Sequence, residues 1–183
     1  MFNMLKMDLR RLFKSRNFYI ILGVTTVLIL MVAMLTAVVS DPETLDSMGV
    51  SGAEIDEIDR KMLEDIRNMT QLDLAYETLG GGFLLLMTGI GVTIFVGSDF
   101  TSGFVKNICC AQPRRVNYVL SKALTAGVYS GVITLLGTLL ILLAPYLHGM
   151  RPVPNTAPEI LRYLFWMWLP HWAFALMALA LVL

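Results

Sequence analysis

Two histidines, two cysteines and a few acids beside apolar runs are the side chains of this sequence with chemistry to offer. His148 and His171 stand 23 positions apart, which gives no spacing at which two imidazoles would share a metal. Cys109 and Cys110 are adjacent and do not form the Cys-x-x-Cys of a redox pair. They read as two small packing residues. No Gly-x-x-x-x-Gly-Lys-Ser/Thr loop is present to cradle the phosphates of ATP. No Ser–His–Asp set or pair of carboxylates stands out beside an apolar run, and Asp99 is the one acid adjoining such a run on its basic side. The sequence therefore predicts a non-catalytic chain that binds no metal or cofactor itself.

The elements that position these residues follow from composition. Of 183 residues, 56% are hydrophobic and 15% charged, against about a quarter charged in an ordinary soluble domain. This excludes a disordered chain, a disulfide scaffold and a nucleic-acid binder with a strong basic field. The overall charge of zero hides segregation: residues 1–17 carry net +4, 41–77 net −8, 98–122 net +3 and 148–162 net +1. Between them, residues 18–39, 78–98, 123–147 and 163–183 are free of charge for 22, 21, 25 and 21 residues. About 20 apolar residues cross a bilayer as a helix. The expectation is an all-α integral membrane protein with four transmembrane helices, forming a single transmembrane domain over 1–183. The first run is too long for the apolar core of a signal peptide. The positive-inside rule places 1–17 and 98–122 in the cytoplasm and 41–77 and 148–162 outside.

The segments between the spans have patterns of their own. In 1–16, Phe2, Leu5, Leu9, Leu12 and Phe13 recur at helical spacing, with Lys6, Arg10 and Lys14 on another face. This is a basic amphipathic helix suited to the membrane interface, read either as an elbow that moves with the bundle or as plain topology signal. In 51–77, Ser51 and Glu54 have capping-box spacing and Ile55, Ile58, Met62, Ile66 and Met69 form a stripe. The acids around that stripe are either a solvated face or an attractor for a cationic ligand. Gly80, Gly81 and Gly82 should weaken or bend span 2 at its outer end. In span 3, Ala123, Gly127 and Gly131 make a small-xxx-small face for close helix packing, within the chain or in a dimer. Ser130, Thr134 and Thr138 add a polar stripe, a candidate pathway surface. In span 4, Pro170 should kink or break the helix. His171 is an ionisable residue within a span, hence a pathway candidate; alternatively, a carbonyl freed by Pro170 satisfies it.

The most informative stretch is 98–122. Asp99 can cap a short helix that starts near Thr101. Phe100, Phe104 and Ile108 would share one face of it, Lys106, Arg114 and Arg115 offer charge, Pro113 ends it, and the chain re-enters the membrane after Lys122. Such a surface helix could pass force from a soluble partner, or the segment could be a basic loop that only fixes topology. Asp99, Thr101, Ser102, Gly103, Lys106, Pro113, Arg114, Arg115 and Lys122 together resemble the membrane subunit of type 2 ABC exporters, in particular the permeases of lantibiotic- and bacitracin-type antibiotic-peptide export and self-protection systems. The resemblance implies a coupling helix at about 100–111 that docks on a separate ABC ATPase, where ATP and Mg are expected. It also implies a second permease subunit, identical or related, in the same lipid membrane, and no nucleic-acid partner. The family usually has six spans, so the chain is expected to be either a truncated six-helix permease or one whose span 4 ends at the interface. The functional expectation is export of an amphipathic substrate such as a peptide antibiotic, across a bacterial plasma membrane. The alternative is a non-transporting immunity or sensor protein that binds a cationic ligand through its acidic outer segment.

Overall fold

A computed structural model describes residues 2–40, 69–80, 82–103, 115–147 and 153–182. Among these the chain is helical, with one isolated parallel bridge between Thr70 and Val153. Six helices follow in order: α1 Phe2–Lys14, α2 Arg16–Ser40, α3 Gln71–Gly80, α4 Phe83–Thr101, α5 Arg115–Leu147 and α6 Ala157–Val182. Of these, α2, α4, α5 and α6 are long and apolar enough to cross a membrane. Over the described residues the structure is all-helical, and its four long apolar helices fit a membrane-spanning protein.

Helix α5 is the spine. It packs against each of the other five helices. Its 33 residues give about 50 Å of helix, well beyond the roughly 30 Å of a hydrocarbon core. Half of its apolar window is buried, against 17% for α2 and α6, whose Ile20, Val27, Met31, Leu35, Leu161 and Leu181 face outward. Lipid gives apolar side chains no reason to leave it, so helix association in a membrane depends on close packing and polar links. Both occur here. Ile133, Ile141, Leu84, Val92, Val96, Ile29, Ala175 and Leu179 form the buried apolar centre. A polar cluster ties α1 to the bundle at one end.

The element boundaries differ from the expectation in three places. Span 3 was expected from residue 123, but α5 begins at Arg115, because Lys122 is buried among protein groups instead of marking a water boundary. Span 4 was expected from residue 163, but α6 begins at Ala157. The Thr156 N–H donates to Glu159 Oε2 at 2.9 Å, a cap that starts the helix two turns before the charge-free run. Span 2 was expected from residue 78, but α3 runs on to Gly80 and α4 starts only at Phe83. Gly82 there has φ +79°, a left-handed conformation that glycine adopts without a Cβ clash, so the glycine run does interrupt the helix. Residues 41–68, with most of the expected acidic outer helix, lie outside the described residues. The expected helix does not run through Met69 and Thr70, which are not helical: α3 begins at Gln71 with its own cap, the Asp73 N–H donating to Thr70 Oγ1 at 3.2 Å and the Thr70 N–H to Asp73 Oδ2 at 3.2 Å.

At that end the connections are knitted together. Gln71 N–H donates to the Val153 carbonyl at 3.3 Å, Leu72 N–H to Asn155 Oδ1 at 3.0 Å, and Gln71 Nε2 to the Tyr146 hydroxyl at 2.6 Å. Pro170 does not break α6, which runs unbroken from Ala157 to Val182.

Candidate functional site: a buried charge cluster at the α1 end

Helix α1 turns into α2 at Ser15, whose N–H donates to the Leu12 carbonyl at 3.1 Å. Its buried face is Met4, Asp8 and Leu12, at spacing four, while Lys6, Arg10 and Lys14 are exposed as their spacing predicts. An acid in the middle of a buried face requires partners, and α5 supplies them. Ser121 Oγ donates to Asp8 Oδ2 at 2.6 Å and Lys122 Nζ to Asp8 Oδ1 at 2.7 Å.

Lys122 has a second acid. Its ammonium lies 2.6 Å from Asp99 Oδ2 on α4, and neither side chain has any exposed surface. Asp99 in turn holds Arg11 of α1, Nη2 to Oδ1 at 2.8 Å, and accepts from the Tyr118 hydroxyl of α5 at 3.2 Å. The rings of Phe95 and Tyr118 stand 4.7 and 5.5 Å from the ammonium, close enough for cation–π attraction. Two acids and two bases thus neutralise each other across α1, α4 and α5. Burial makes the set costly to disturb: a buried charge without its partner carries its whole desolvation penalty.

The Asp99 expectation is corrected here. Asp99 does not cap a helix beginning at Thr101. It lies inside the last turns of α4, which ends at Thr101. The Ser102 N–H donates to the Ser98 carbonyl at 3.1 Å and the Gly103 N–H to the Phe100 carbonyl at 3.2 Å, with Gly103 at φ +69°. Left-handed Gly103 stops the helix, so the carboxylate is left to face the bundle. Phe100 remains 46% exposed, and Thr101 and Ser102 are exposed beside it. Phe104, Lys106, Ile108 and Arg114 lie outside the described residues, as do Pro113 and the two cysteines. Arg115 is the first residue of α5.

The cluster brackets this segment. Asp99 stands one turn before its departure at Gly103, Lys122 two turns after its return at Arg115, and the two are in direct contact. Asp8, Arg11, Tyr118 and Ser121 were not picked out from the sequence. The available signal was the spacing of Asp8 with Met4 and Leu12, which puts one acid on an apolar face.

The remaining candidates lie along α5 and α6. Ala123, Gly127 and Gly131 form a notch that α6 fills. Trp168 Nε1 donates to the Gly127 carbonyl at 2.9 Å and Trp172 Nε1 to the Ala123 carbonyl at 3.1 Å, with the two indoles stacked at 5.1 Å. A Cβ on Gly127 would come within 2.8 Å of the Trp172 indole nitrogen. Ser130, Thr134, Thr138 and His171 are all buried. Ser130 Oγ donates to its own helix, at the Gly127 carbonyl, 3.0 Å away. Thr134 faces an apolar cavity of about 280 Å³ between α5 and α6, lined by Gly131, Leu164, Phe165 and Trp168. His171 Nδ1 lies 2.6 Å from the Met167 carbonyl, one turn back. That is not the carbonyl Pro170 frees, which belongs to Trp166, so the expected satisfaction comes from a neighbouring group. Among the described residues, Thr134 Oγ1, Thr138 Oγ1 and His171 Nε2 are buried without a hydrogen-bond partner.

No protein-family model, curated protein or solved structure matches the chain.

Proposed function

We propose that the chain is the membrane-spanning subunit of an ATP-driven ABC exporter, with its N-terminus in the cytoplasm of a bacterial cell. On this reading the subunit is not itself an enzyme: ATP and Mg bind a separate ATPase, and a second permease subunit completes the pathway for an amphipathic substrate, such as a peptide antibiotic. The observation that carries the reading is the contact of Lys122 with Asp99 and Asp8. A segment that only set topology would need no buried link between its two ends. A segment that transmits work does, because a push from an ATPase must move helices and not merely a loop. The exposed Phe100 at the segment's start offers an apolar contact for such a partner.

The test is affinity purification of the full chain from its own membrane in mild detergent, read by mass spectrometry. A stoichiometric ABC-type ATPase that is lost from the F104D/I108D variant supports the reading. The chain recovered without any ATPase sinks it.

A further inference from the structure

Beside the charge cluster, on its outer side, lies an open cavity of about 370 Å³ lined by Met7, Arg10, Arg11, Lys14, Ser15, Phe95 and Ser98. Three of these are basic and none is acidic. The cluster behind it is internally neutral, Asp8 and Asp99 balancing Lys122 and Arg11. The cavity therefore keeps the positive charge of Arg10 and Lys14, both exposed and one turn apart on α1. Arg11 turns one amine to Asp99, while its side chain remains 31% exposed at the rim.

The position of the cavity selects its ligand. Ser98 is in the last turn of α4 and Ser15 precedes the first residue of α2, so the cavity sits at the polar end of two spanning helices. Its lining also has an apolar part, Met7 and Phe95. A basic pocket at this depth suits a group with negative oxygens joined to an apolar body. We propose that this cavity binds the phosphate of an anionic phospholipid, Arg10 and Lys14 taking the oxyanion and Met7 and Phe95 the glycerol and first acyl carbons. The shared chemistry with free phosphate is the oxyanion; the apolar lining of Met7 and Phe95 is what a lipid alone would use. The inference does not depend on the exporter reading.

The test uses the full chain in mild detergent with phosphatidylglycerol, phosphatidylcholine or inorganic phosphate added, and native mass spectrometry to count what stays bound. Phosphatidylglycerol should be retained and phosphatidylcholine should not. The R10Q/K14Q variant should weaken phosphatidylglycerol retention roughly thirtyfold, the effect of two interfacial charges. The K6Q/R16Q variant removes two exposed charges of the same region that do not line the cavity, and should stay within about threefold of the parent. Displacement of the lipid by millimolar inorganic phosphate would show that the oxyanion suffices; retention in its presence would show that the acyl-glycerol is read as well. Equal retention by R10Q/K14Q and the parent, an equal loss in K6Q/R16Q, or equal binding of phosphatidylcholine overturns the proposal.

Discussion

Replacing Lys122 by methionine tests the charge cluster at its centre. Methionine keeps the length and apolar stem of lysine and removes only the ammonium. In the variant, Asp8 and Asp99 both lose their contacts at 2.7 and 2.6 Å, and two carboxylates with at most 1% side-chain exposure are left, Asp8 with Ser121 and Asp99 with Arg11 and Tyr118. Exposed ion pairs contribute about 0.2–1 kcal/mol. Breaking a buried one costs about 3–5 kcal/mol, because the partner stays buried and charged. Burial here selects the larger range. For a chain of this size each kcal/mol shifts Tm by about 2–4 °C, so K122M should melt about 6–20 °C lower in detergent. The readout is tryptophan fluorescence during SDS or thermal unfolding, since all three tryptophans lie on α6. The double variant D8N/K122M removes one charge of each sign and leaves Asp99 with Arg11 and Tyr118. It should cost less than the sum of the single variants by about 1–3 kcal/mol. R11M should cost only about 1 kcal/mol, because that side chain is 31% exposed and water screens the loss. A K122M variant within about 1 kcal/mol of the parent, or strict additivity with D8N, would refute the reasoning.

Further outcomes follow from the helix contacts. A methyl at Gly91 would land on the Tyr129 ring and hydroxyl, so G91A should cost about 1–3 kcal/mol, whereas Gly97 faces open space and G97A should be neutral or slightly stabilising; unfolding titrations of both variants make the comparison. W168F and W172F each delete an indole donor to α5 and should each cost about 1 kcal/mol in the same titration. The F100D variant should lower recovery of an ATPase partner without lowering Tm, because Phe100 is exposed and outside the cluster; purification yield and melting read the two effects separately.

The four spans were legible because a bilayer demands an apolar run of fixed length, and the gaps in the charge pattern give it directly. The helix ends were less legible. Hydropathy marks where charge stops, while a helix ends where its backbone is capped, as at Thr156 with Glu159 and at left-handed Gly103. The charge cluster was the least legible feature. Asp8 counted as one acid in a basic tail, Asp99 as a cap and Lys122 as a boundary marker, since each was read by its local neighbours. Its meaning lies in contacts between helices far apart in sequence, up to the 114 positions between Asp8 and Lys122. The packing of Ala123, Gly127 and Gly131 was half legible: the matching spacing of Trp168 and Trp172, four apart, is the complementary pattern on α6 that fills the notch.

The central claim is that residues 100–111 engage an ATPase, and the most direct measurement is photocrosslinking in the native membrane. A photoreactive amino acid would stand at position 104, with another at Val27, on the outward face of α2, as the lipid-facing control. A crosslink from position 104 to an ABC-type ATPase is expected, and none to it from position 27. Position 104 crosslinking only to lipid or to the chain itself would rule out the coupling segment.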